Sequence, residues 1–342
     1  MTQGAPGAEQ ARSWPHAAVV YQPVKTQLSL LRSTVGRAEA RAGWAPTRWY
    51  ETEAHDSGTG AARQAIADGA SVVLGAGGDG TIRAIAEGLG HTRVPLAIIP
   101  QGTGNLLARN LGVPLGDLAA AVEGAFFGRN RPIDLGRMTI VRPPDAEGIE
   151  REDEHAFLVL AGMGLDARTI RTTKSELKRR VGWLAYVDAG VRTMVKDRPL
   201  NIHYSVDGGP AHELTVYTVM IGNCGLLPGG VLLIPDAHID DGLLDVVALT
   251  PLGPFSWLRI WNKIGWENGV LRKSKVGRRI IDLVNDTKSV NYLTARTYAL
   301  SVPRPEPVQL DGDDFGLAIA VRGVVDPGAL IVRVLPNWLP LI

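Results

Sequence analysis

Residues 72–81 have the sequence Val72-Val73-Leu74-Gly75-Ala76-Gly77-Gly78-Asp79-Gly80-Thr81, and residues 82–89 follow with apolar side chains at helical spacing. An apolar run rich in β-branched residues that ends in glycines before such spacing is typical of a buried strand, a tight turn and a helix. Because the glycines lack a Cβ, backbone N–H groups and the helix N-terminus can approach an anion closely. The stretch therefore predicts an α/β fold with an anion-binding turn.

One carboxylate, Asp79, stands within this glycine turn. A carboxylate beside a phosphate repels it unless a divalent cation bridges the two or the carboxylate accepts a hydrogen bond from a sugar or hydroxyl. Asp79 therefore points to a metal-nucleotide ligand. The alternative is that the glycines serve tight packing alone, since the turn matches neither the GxxxxGK[ST] motif nor the GxGxxG motif.

A second glycine turn, Gln101-Gly102-Thr103-Gly104-Asn105, follows a short apolar segment at residues 95–100 and precedes a helical segment at residues 106–111. The two turns are about 25 residues apart, as a strand-helix-strand unit requires, so they can meet at one edge of a parallel sheet. The pair of turns favours a phosphate site over packing alone.

The pattern differs between the two halves of the chain. Strands and helices alternate from residue 17 to about residue 128, which is typical of a doubly wound α/β domain. Beyond Arg131 the predicted strands follow one another, which is typical of a mostly antiparallel β-sandwich. These later strands are predicted at residues 133–141, 155–160, 200–206, 214–221 and 243–249, with a hairpin turn at Asp207-Gly208-Gly209.

These patterns predict two domains. We expect a disordered tail at residues 1–14 and a nucleotide-binding α/β domain at residues 15–131. A β-sandwich domain that binds the substrate is expected at residues 132–325. The last segment, residues 326–342, is free to pack back on the first domain.

Composition limits the classes of function. With 342 residues, 45% hydrophobic and 21% charged, the chain is long enough for two domains with substantial cores. A net charge of +1 argues against a nucleic-acid binder. A lone cysteine, Cys224, suits a reducing cytoplasm. No stretch approaches the ~20 apolar residues of a spanning helix, so any membrane contact is expected to be peripheral.

The two glycine turns, with Ala108-Arg109-Asn110-Leu111-Gly112, closely resemble the diacylglycerol kinase catalytic family, which includes bacterial lipid kinases and sphingosine kinases. The similarity continues through Ile133-Asp134-Leu135-Gly136, residues 161–167, Pro235-Asp236-Ala237, residues 240–245 and residues 308–313. The resemblance implies an ATP- and Mg²⁺-dependent kinase that phosphorylates a lipid alcohol, with diacylglycerol favoured as substrate. It also implies a cytoplasmic protein on the inner face of the membrane, and it leaves a homodimer open.

The resemblance also implies a nucleotide site, in which Thr52 contacts the nucleotide together with the two turns. The implied nucleotide-binding residues are Thr52, Gly77, Gly78, Asp79, Gly80, Thr81, Gly102, Thr103 and Asn105. The chain departs from the family here, because Arg83-Ala84 replaces the usual Asn-Glu and Leu106 replaces an Asp. Arg83 could offer its guanidinium to a phosphate.

The acidic loop at residues 236–245 has two interpretations. Its Asp-Asp-Gly sequence is typical of a β-turn, in which acidic side chains accept hydrogen bonds from N–H groups. The resemblance implies instead a structural divalent ion, bound by the carboxylate of Asp241 and the backbone carbonyl oxygens of His238 and Leu243. Oxygen ligands of this kind suit Mg²⁺.

The segment Asp311-Gly312-Asp313 also has two interpretations. By itself an Asp-Gly turn indicates a hairpin. The resemblance implies a catalytic turn, in which Asp313 stands where the family has Glu and accepts the proton of the substrate hydroxyl. Asp is one methylene shorter than Glu, so Asp311 is kept as a second candidate for the base.

Three alternatives stay open on the sequence. An NAD kinase shares the Gly-Gly-Asp-Gly turn, although the second glycine turn and the Asp-Gly-Asp turn favour a lipid kinase. A non-catalytic lipid or nucleotide sensor would explain the departures at Arg83-Ala84 and Leu106. Trp257 and Trp261, on one predicted helix face beside basic residues, favour either a membrane anchor or an ordinary packed helix.

Overall fold

The computed structural model describes most of the chain. The described residues are 14–53, 56–164, 199–227, 231–232, 234, 236–249 and 290–336. The predicted disordered tail lies outside them except for Trp14, which is exposed. The predicted helix that carries Trp257 and Trp261 lies outside them as well.

The first part of the chain alternates strands with helices. Its strands are β1 (His16–Tyr21), β2 (Ala45–Glu51), β3 (Val72–Gly77) and β4 (Leu96–Pro100). Its helices are α1 (Leu28–Ala42), α2 (Thr59–Ala67), α3 (Asp79–Leu89), α4 (Leu106–Asn110) and α5 (Leu118–Phe127). The strands pair in parallel in the order β2-β1-β3-β4, and β3 is buried along its whole length because helices cover the sheet. The predicted α/β organisation is confirmed.

The remainder of the described chain is built from strands. The strands are β5 (Arg129–Val141), β6 (Glu152–Phe157), β7 (Leu160–Met163), β8 (Leu200–Val206), β9 (His212–Val216), β10 (Thr218–Gly222), β11 (Leu226–Leu227), β12 (Val231–Leu232), β13 (Leu244–Leu249), β14 (Val290–Ala295), β15 (Thr297–Leu310) and β16 (Asp313–Val334). They pair with one another antiparallel, around a second hydrophobic core that contains Phe157, Met163 and Val308. This confirms the predicted β-rich half. The predicted turn at Asp207-Gly208 joins β8 to β9, with both residues at positive φ.

Two predicted strands are each divided in two. The predicted strand at residues 155–160 is β6 and β7, because the N–H groups of Leu158 and Val159 donate to the side chain of Asp311 rather than to a neighbouring strand. The predicted strand at residues 214–221 is β9 and β10, because β9 pairs with β8 whereas β10 pairs with β7 and β13. Continuous apolar runs give no sign of such a change of partner.

The long strand β16 joins the two halves. It pairs antiparallel with β15 and β5, and near its end Val332 pairs in parallel with Leu96 of β4. The described end of the segment 326–342 thus lies against the α/β sheet, while the domain boundaries at residues 131 and 325 stay predictions. Among the described residues, no helix combines the length and apolar character that crossing a membrane would take.

Candidate active site

The two glycine turns meet at the carboxyl ends of β3 and β4. Gly77 pairs with Pro100 in the parallel register, and the N–H of Gln101 donates to the carbonyl oxygen of Gly77 over 2.9 Å. A Cβ on Gly102 would lie 2.8 Å from the Cα of Gly78, so the two backbones are too close for any side chain there. The structure therefore brings together the turns that the sequence placed at one edge of the sheet.

Asp79 ties one turn to the other. Its carboxylate accepts hydrogen bonds from the backbone N–H groups of Asn105 and Leu106, at the start of α4. Burial raises the pKa of Asp79, while these two N–H groups oppose the shift. Both of its oxygens thus accept backbone hydrogen bonds, and a contact of Asp79 with a metal-nucleotide ligand stays a prediction.

Asn105 shapes the second turn. Its side chain accepts a hydrogen bond from the N–H of Gly102 over 2.9 Å and donates one to the carbonyl oxygen of Gly102 over 2.8 Å. Its backbone adopts the left-handed conformation, with φ of 49°, which Asn tolerates better than most residues. Thr103, between them, is exposed at the surface of the turn.

The first turn carries features suited to an anion. The side chain of Thr81 lies directly beneath Gly77, where a Cβ would be 2.6 Å from the threonine Cβ. Lys25 reaches the same turn, because its Nζ is 3.6 Å from the position that a Cβ on Gly78 would occupy. Helix α3 begins at Asp79, so its N-terminal N–H groups add partial positive charge. Together these groups have the geometry and charge that suit phosphate oxygens.

Thr52 lies next to this region, just beyond the end of β2. It is buried, and its N–H donates to the carbonyl oxygen of Tyr21 over 3.0 Å. Its methyl group lies beside Gly58, which precedes α2. A contact between Thr52 and a nucleotide stays a prediction.

The turn between β15 and β16 reaches the glycine turns from the other half of the molecule. A Cβ on Gly80 would lie 2.5 Å from Oδ2 of Asp313, so the carboxylate rests directly on the glycine. The side chain of Asp313 is half exposed, and its Oδ2 is 3.3 Å from Nη2 of Arg83. Arg83 in turn lies over the ring of Phe315, with its Cζ 4.6 Å from the ring centroid.

Asp311, two residues earlier, has different surroundings. It is 4% exposed, with φ of 49°, and its carboxylate accepts hydrogen bonds of 2.8–3.0 Å from the N–H groups of Leu158, Val159 and Leu160. Burial raises the pKa of Asp311 to about 6, although the three N–H groups oppose the shift. This carboxylate holds the turn against the segment between β6 and β7.

The predicted metal loop concentrates negative charge. Burial raises the pKa of Asp241, and burial together with the charges of Asp241 and Asp236 raises the pKa of Asp245 to about 6. Asp241 Oδ1 accepts a hydrogen bond of 2.9 Å from the N–H of Leu243, and His238 is close enough to act on both carboxyl groups. Carboxylates together with backbone carbonyl oxygens are a donor set that suits Mg²⁺.

The same loop does not form a multidentate site of side chains. Within the described ranges, no group of three or more His, Cys, Asp or Glu side chains is arranged to hold a metal ion. An ion at Asp241 would therefore depend on backbone oxygens and water, as the resemblance implies. The set of Asp241, His238 and Leu243 stays a prediction.

Two contacts of the site were missed by reasoning on the sequence. The sequence offered Arg83 as a partner for a phosphate, and it gave no sign that this side chain pairs with Asp313, 230 residues away in the chain. Phe315 was not singled out at all. One signal was available, since Gly80 and Arg83 are three residues apart and hence lie on one face of a helix.

Two family models match the chain. The one described as the diacylglycerol kinase catalytic domain matches residues 18–138. The one described as the YegS C-terminal NAD kinase beta sandwich-like domain matches residues 159–334. The two matches correspond to the α/β half and the β-rich half.

Several named proteins are similar to this chain in sequence and support the same family. A diacylglycerol kinase of Bacillus subtilis (strain 168) is 30% identical over 219 residues, which are 62% of this chain and 67% of the relative. A "probable lipid kinase YegS-like" of Pseudomonas aeruginosa is 32% identical over 285 residues, 82% of this chain and 81% of the relative. The match to a diacylglycerol kinase of Mycobacterium tuberculosis covers 56% of that protein and 53% of this chain, at 32% identity.

A solved structure shows the same fold. A diacylglycerol kinase from Bacillus anthracis str. Sterne superposes with a TM-score of 0.65 at 19% identity, over 95% of this chain and 99% of that one. Since the two family models match residues 18–138 and 159–334, and relatives at least 30% identical are covered to 67% and 81% of their length, this chain belongs to the family of diacylglycerol kinases and YegS-like lipid kinases.

Proposed function

We propose that this protein transfers the γ-phosphate of ATP to the hydroxyl group of a lipid alcohol, with diacylglycerol as the favoured acceptor and phosphatidic acid as the product. The observation that carries the proposal is the contact of Asp313 with Gly80, which sets a half-exposed carboxylate on the glycine turn. The names of the relatives support a lipid acceptor.

The ATP phosphates would lie across the two glycine turns. Closely packed glycines, the N-terminus of α3 and the ammonium group of Lys25 support this placement. Gly77, Gly78, Gly80 and Gly102 would leave the backbone open to the phosphates, with Thr81 and Asn105 shaping the turns and Thr52 and Thr103 at the edges.

Asp313 is better suited than Asp311 to act as the base. A base must reach the hydroxyl that it deprotonates, at about 2.6–3.2 Å. The Asp313 carboxylate is half exposed beside the glycine turn, whereas the Asp311 carboxylate is buried and already accepts three backbone hydrogen bonds. Phosphoryl transfer otherwise depends on positioning and on neutralising the phosphate charge.

Mg²⁺ would supply that neutralisation when bound with the triphosphate. We further propose a second, structural ion at Asp241, with His238 and Leu243 as carbonyl donors. Added Mg²⁺ should raise the Tm of the native protein and of Asp240→Asn, a control that removes the carboxylate paired with Arg131. It should not raise the Tm of Asp241→Asn. An equal rise in all three proteins would show that the ion does not bind at this loop.

A radiolabelled ATP assay against a panel of lipid alcohols, with NAD included, tests the reaction. We expect label in a product that extracts into organic solvent, with diacylglycerol the best acceptor. Label in NAD alone would make the protein an NAD kinase, and ATP or lipid binding without any transfer would make it a sensor.

Since the acceptor is a lipid, we also propose peripheral contact with the inner face of the membrane. Basic residues near an anionic surface contribute on the order of 1 kcal/mol each, and salt screens this attraction. Co-sedimentation with anionic vesicles at low salt should therefore decrease at high salt. Vesicle binding that is absent at low salt would contradict the proposal.

A further inference from the structure

We propose that Arg83 is a positioning residue for phosphoryl transfer, which holds the carboxylate of Asp313 over Gly80 and is itself held by the ring of Phe315. The inference rests on the proposed function, since it takes Asp313 as the base. It differs from the sequence-based expectation, in which the Arg83 guanidinium faces a phosphate.

The ion pair is asymmetric in burial. The side chain of Arg83 is 11% exposed, whereas that of Asp313 is 50% exposed. A half-exposed aspartate in a hairpin turn has several rotamers open to it, and a buried guanidinium beside it selects one of them. Among the residues that the structure describes, Asp313 is the acidic side chain within ion-pair distance of Arg83.

Arg83 lies against an aromatic ring. Its Cζ is 4.6 Å from the ring centroid of Phe315, and the ring of His155 contacts the same phenylalanine in a tilted arrangement, with centroids 4.7 Å apart. Stacking of a guanidinium on an aromatic face orients its plane and adds attraction. Phe315 follows Asp313 by two residues, so the stack and the ion pair act on the same end of β16.

The ring of His155 is tied to the β5–β6 hairpin. His155 Nε2 is 2.7 Å from Oδ2 of Asp153, which Arg142 binds with two nitrogens over 2.6 and 2.7 Å. Arg142 also donates to the carbonyl oxygens of Phe315 and Leu317. The first residues of β16 therefore have contacts with both the β5–β6 hairpin and α3.

Arg83 has a second effect, on the negative charge around Asp313. Asp79 lies close enough to Asp313 for their charges to interact, and Arg83 acts on the charge of Asp311 as well. Carboxylates this close repel one another, and the repulsion would push the half-exposed Asp313 away from Gly80. The Arg83 guanidinium offsets this repulsion and so keeps the Asp313 carboxylate in place.

Positioning of this kind has a defined kinetic effect. A misplacement of a reacting group by about 1 Å can cost about 10²-fold in rate. The effect falls on turnover rather than on nucleotide affinity, because the glycine turns and Lys25 do not depend on Arg83 for their contacts. A residue that contacted phosphate directly would change ATP affinity as well.

The test measures kcat, the KM values for ATP and lipid, and Tm for Arg83→Gln, Arg83→Lys and Phe315→Leu. We expect kcat to fall about 10²-fold in Arg83→Gln, with KM for ATP close to the native value. Arg83→Lys should recover part of the loss because it keeps the charge, and Phe315→Leu should lie between. Arg63→Gln, an exposed arginine on α2, is the matched control and should behave as the native protein.

A double variant decides whether Arg83 acts through Asp313. Adding Arg83→Gln to Asp313→Asn should cause no further loss of kcat, because the group that Arg83 positions is already gone. Losses that multiply, or an increase in KM for ATP in Arg83→Gln, would overturn the inference in favour of a direct phosphate contact. If Arg83→Gln melts below the assay temperature, Phe315→Leu and Arg83→Lys carry the test, and native kcat in both would overturn it.

The outcomes separate this inference from the proposed function. A native protein that phosphorylates lipid while the Arg83 and Phe315 variants keep full kcat leaves the function standing and overturns the positioning role alone. A native protein that transfers no phosphate to any lipid overturns both.

Discussion

The two sides of the hairpin turn between β15 and β16 carry the same acidic side chain in different surroundings. Asp311, on the β15 side, is buried and accepts three backbone hydrogen bonds from the segment between β6 and β7. Asp313, on the β16 side, is half exposed, rests on Gly80 and pairs with Arg83. The difference shows that two carboxylates of one turn can have different roles, because Asp311 joins parts of the fold whereas Asp313 faces the glycine turn.

The largest effect is expected at Asp313. Asp313→Asn should lower turnover by about 10²- to 10⁴-fold, the usual contribution of a general base, because the amide cannot accept the hydroxyl proton. ATP affinity and Tm should stay near native values. Turnover, ATP binding and thermal unfolding measure the three quantities.

Asp314→Asn is the matched control for this substitution. Asp314 is the next residue, exposed, and accepts a hydrogen bond from the N–H of Gly316. It should keep native turnover. A nearly native rate in Asp313→Asn, with a folded but inactive Asp311→Asn, would move the base to Asp311.

A methyl group on Gly80 should disturb one side of the turn only. In Gly80→Ala the added Cβ would meet Oδ2 of Asp313 at 2.5 Å, and the flexible carboxylate can move away at little cost in stability. Turnover should fall by up to about 10²-fold because the base is displaced. Gly116→Ala, where a Cβ would meet nothing within 4 Å, is the control for both rate and Tm.

At Asp311 the expected loss is in stability rather than rate. Asp311→Asn replaces one of the two acceptor oxygens by an amide N–H₂ that faces at least one of the three N–H groups, which should cost about 1–3 kcal/mol. Denaturant unfolding gives the free energy, and turnover per folded molecule gives the rate. Native stability in this variant would contradict the structural role assigned to the buried carboxylate.

The last expected effect is a change of stability with pH. Burial raises the pKa of Asp311 in the folded protein to about 6, from its usual value of 3.8, against the pull of its three N–H donors. The folded state then binds the proton more tightly than the unfolded chain, so this group lowers stability as pH rises from about 4 to about 6. The stability deficit of Asp311→Asn should therefore narrow over that range.

The same pair of proteins shows whether burial or hydrogen bonding dominates at Asp311. Unfolding free energies of the native protein and Asp311→Asn, measured at several pH values, give the deficit directly. A deficit that grows as pH rises would mean that the three N–H groups hold the carboxylate ionised and that its pKa lies below the usual range.

Much of the fold could be predicted because it follows from local patterns. The run from Val72 to Thr81 indicated a strand, a turn and a helix, and the structure has β3, a glycine turn and α3 there. The spacing of the two glycine turns predicted adjacent parallel strands, and β3 pairs with β4. The prediction of one strand from each apolar run was wrong at residues 155–160 and 214–221, where the chain changes its strand partner.

The sequence was sufficient to predict which residues form the candidate site, but not which contacts they make. The sequence singled out Asp79, Asp311 and Asp313. It offered no means of knowing that Asp79 would bond to the start of α4, or that Asp311 would be enclosed by the segment between β6 and β7. Each of these contacts depends on where distant backbone N–H groups lie in the folded chain.

The sequence by itself determined the strand-turn-helix units, the two glycine turns and the change from alternating elements to consecutive strands, because spacing and glycine content act over a few residues. Only the tertiary structure decided which aspartate of the hairpin turn faces the glycine turn and which is buried. That choice depends on Arg83, which lies 230 positions from Asp313 in the chain and packs on Phe315, and on the backbone of residues 158–160, about 150 positions from Asp311. Contacts between residues so far apart in the chain form only when the whole sheet is assembled.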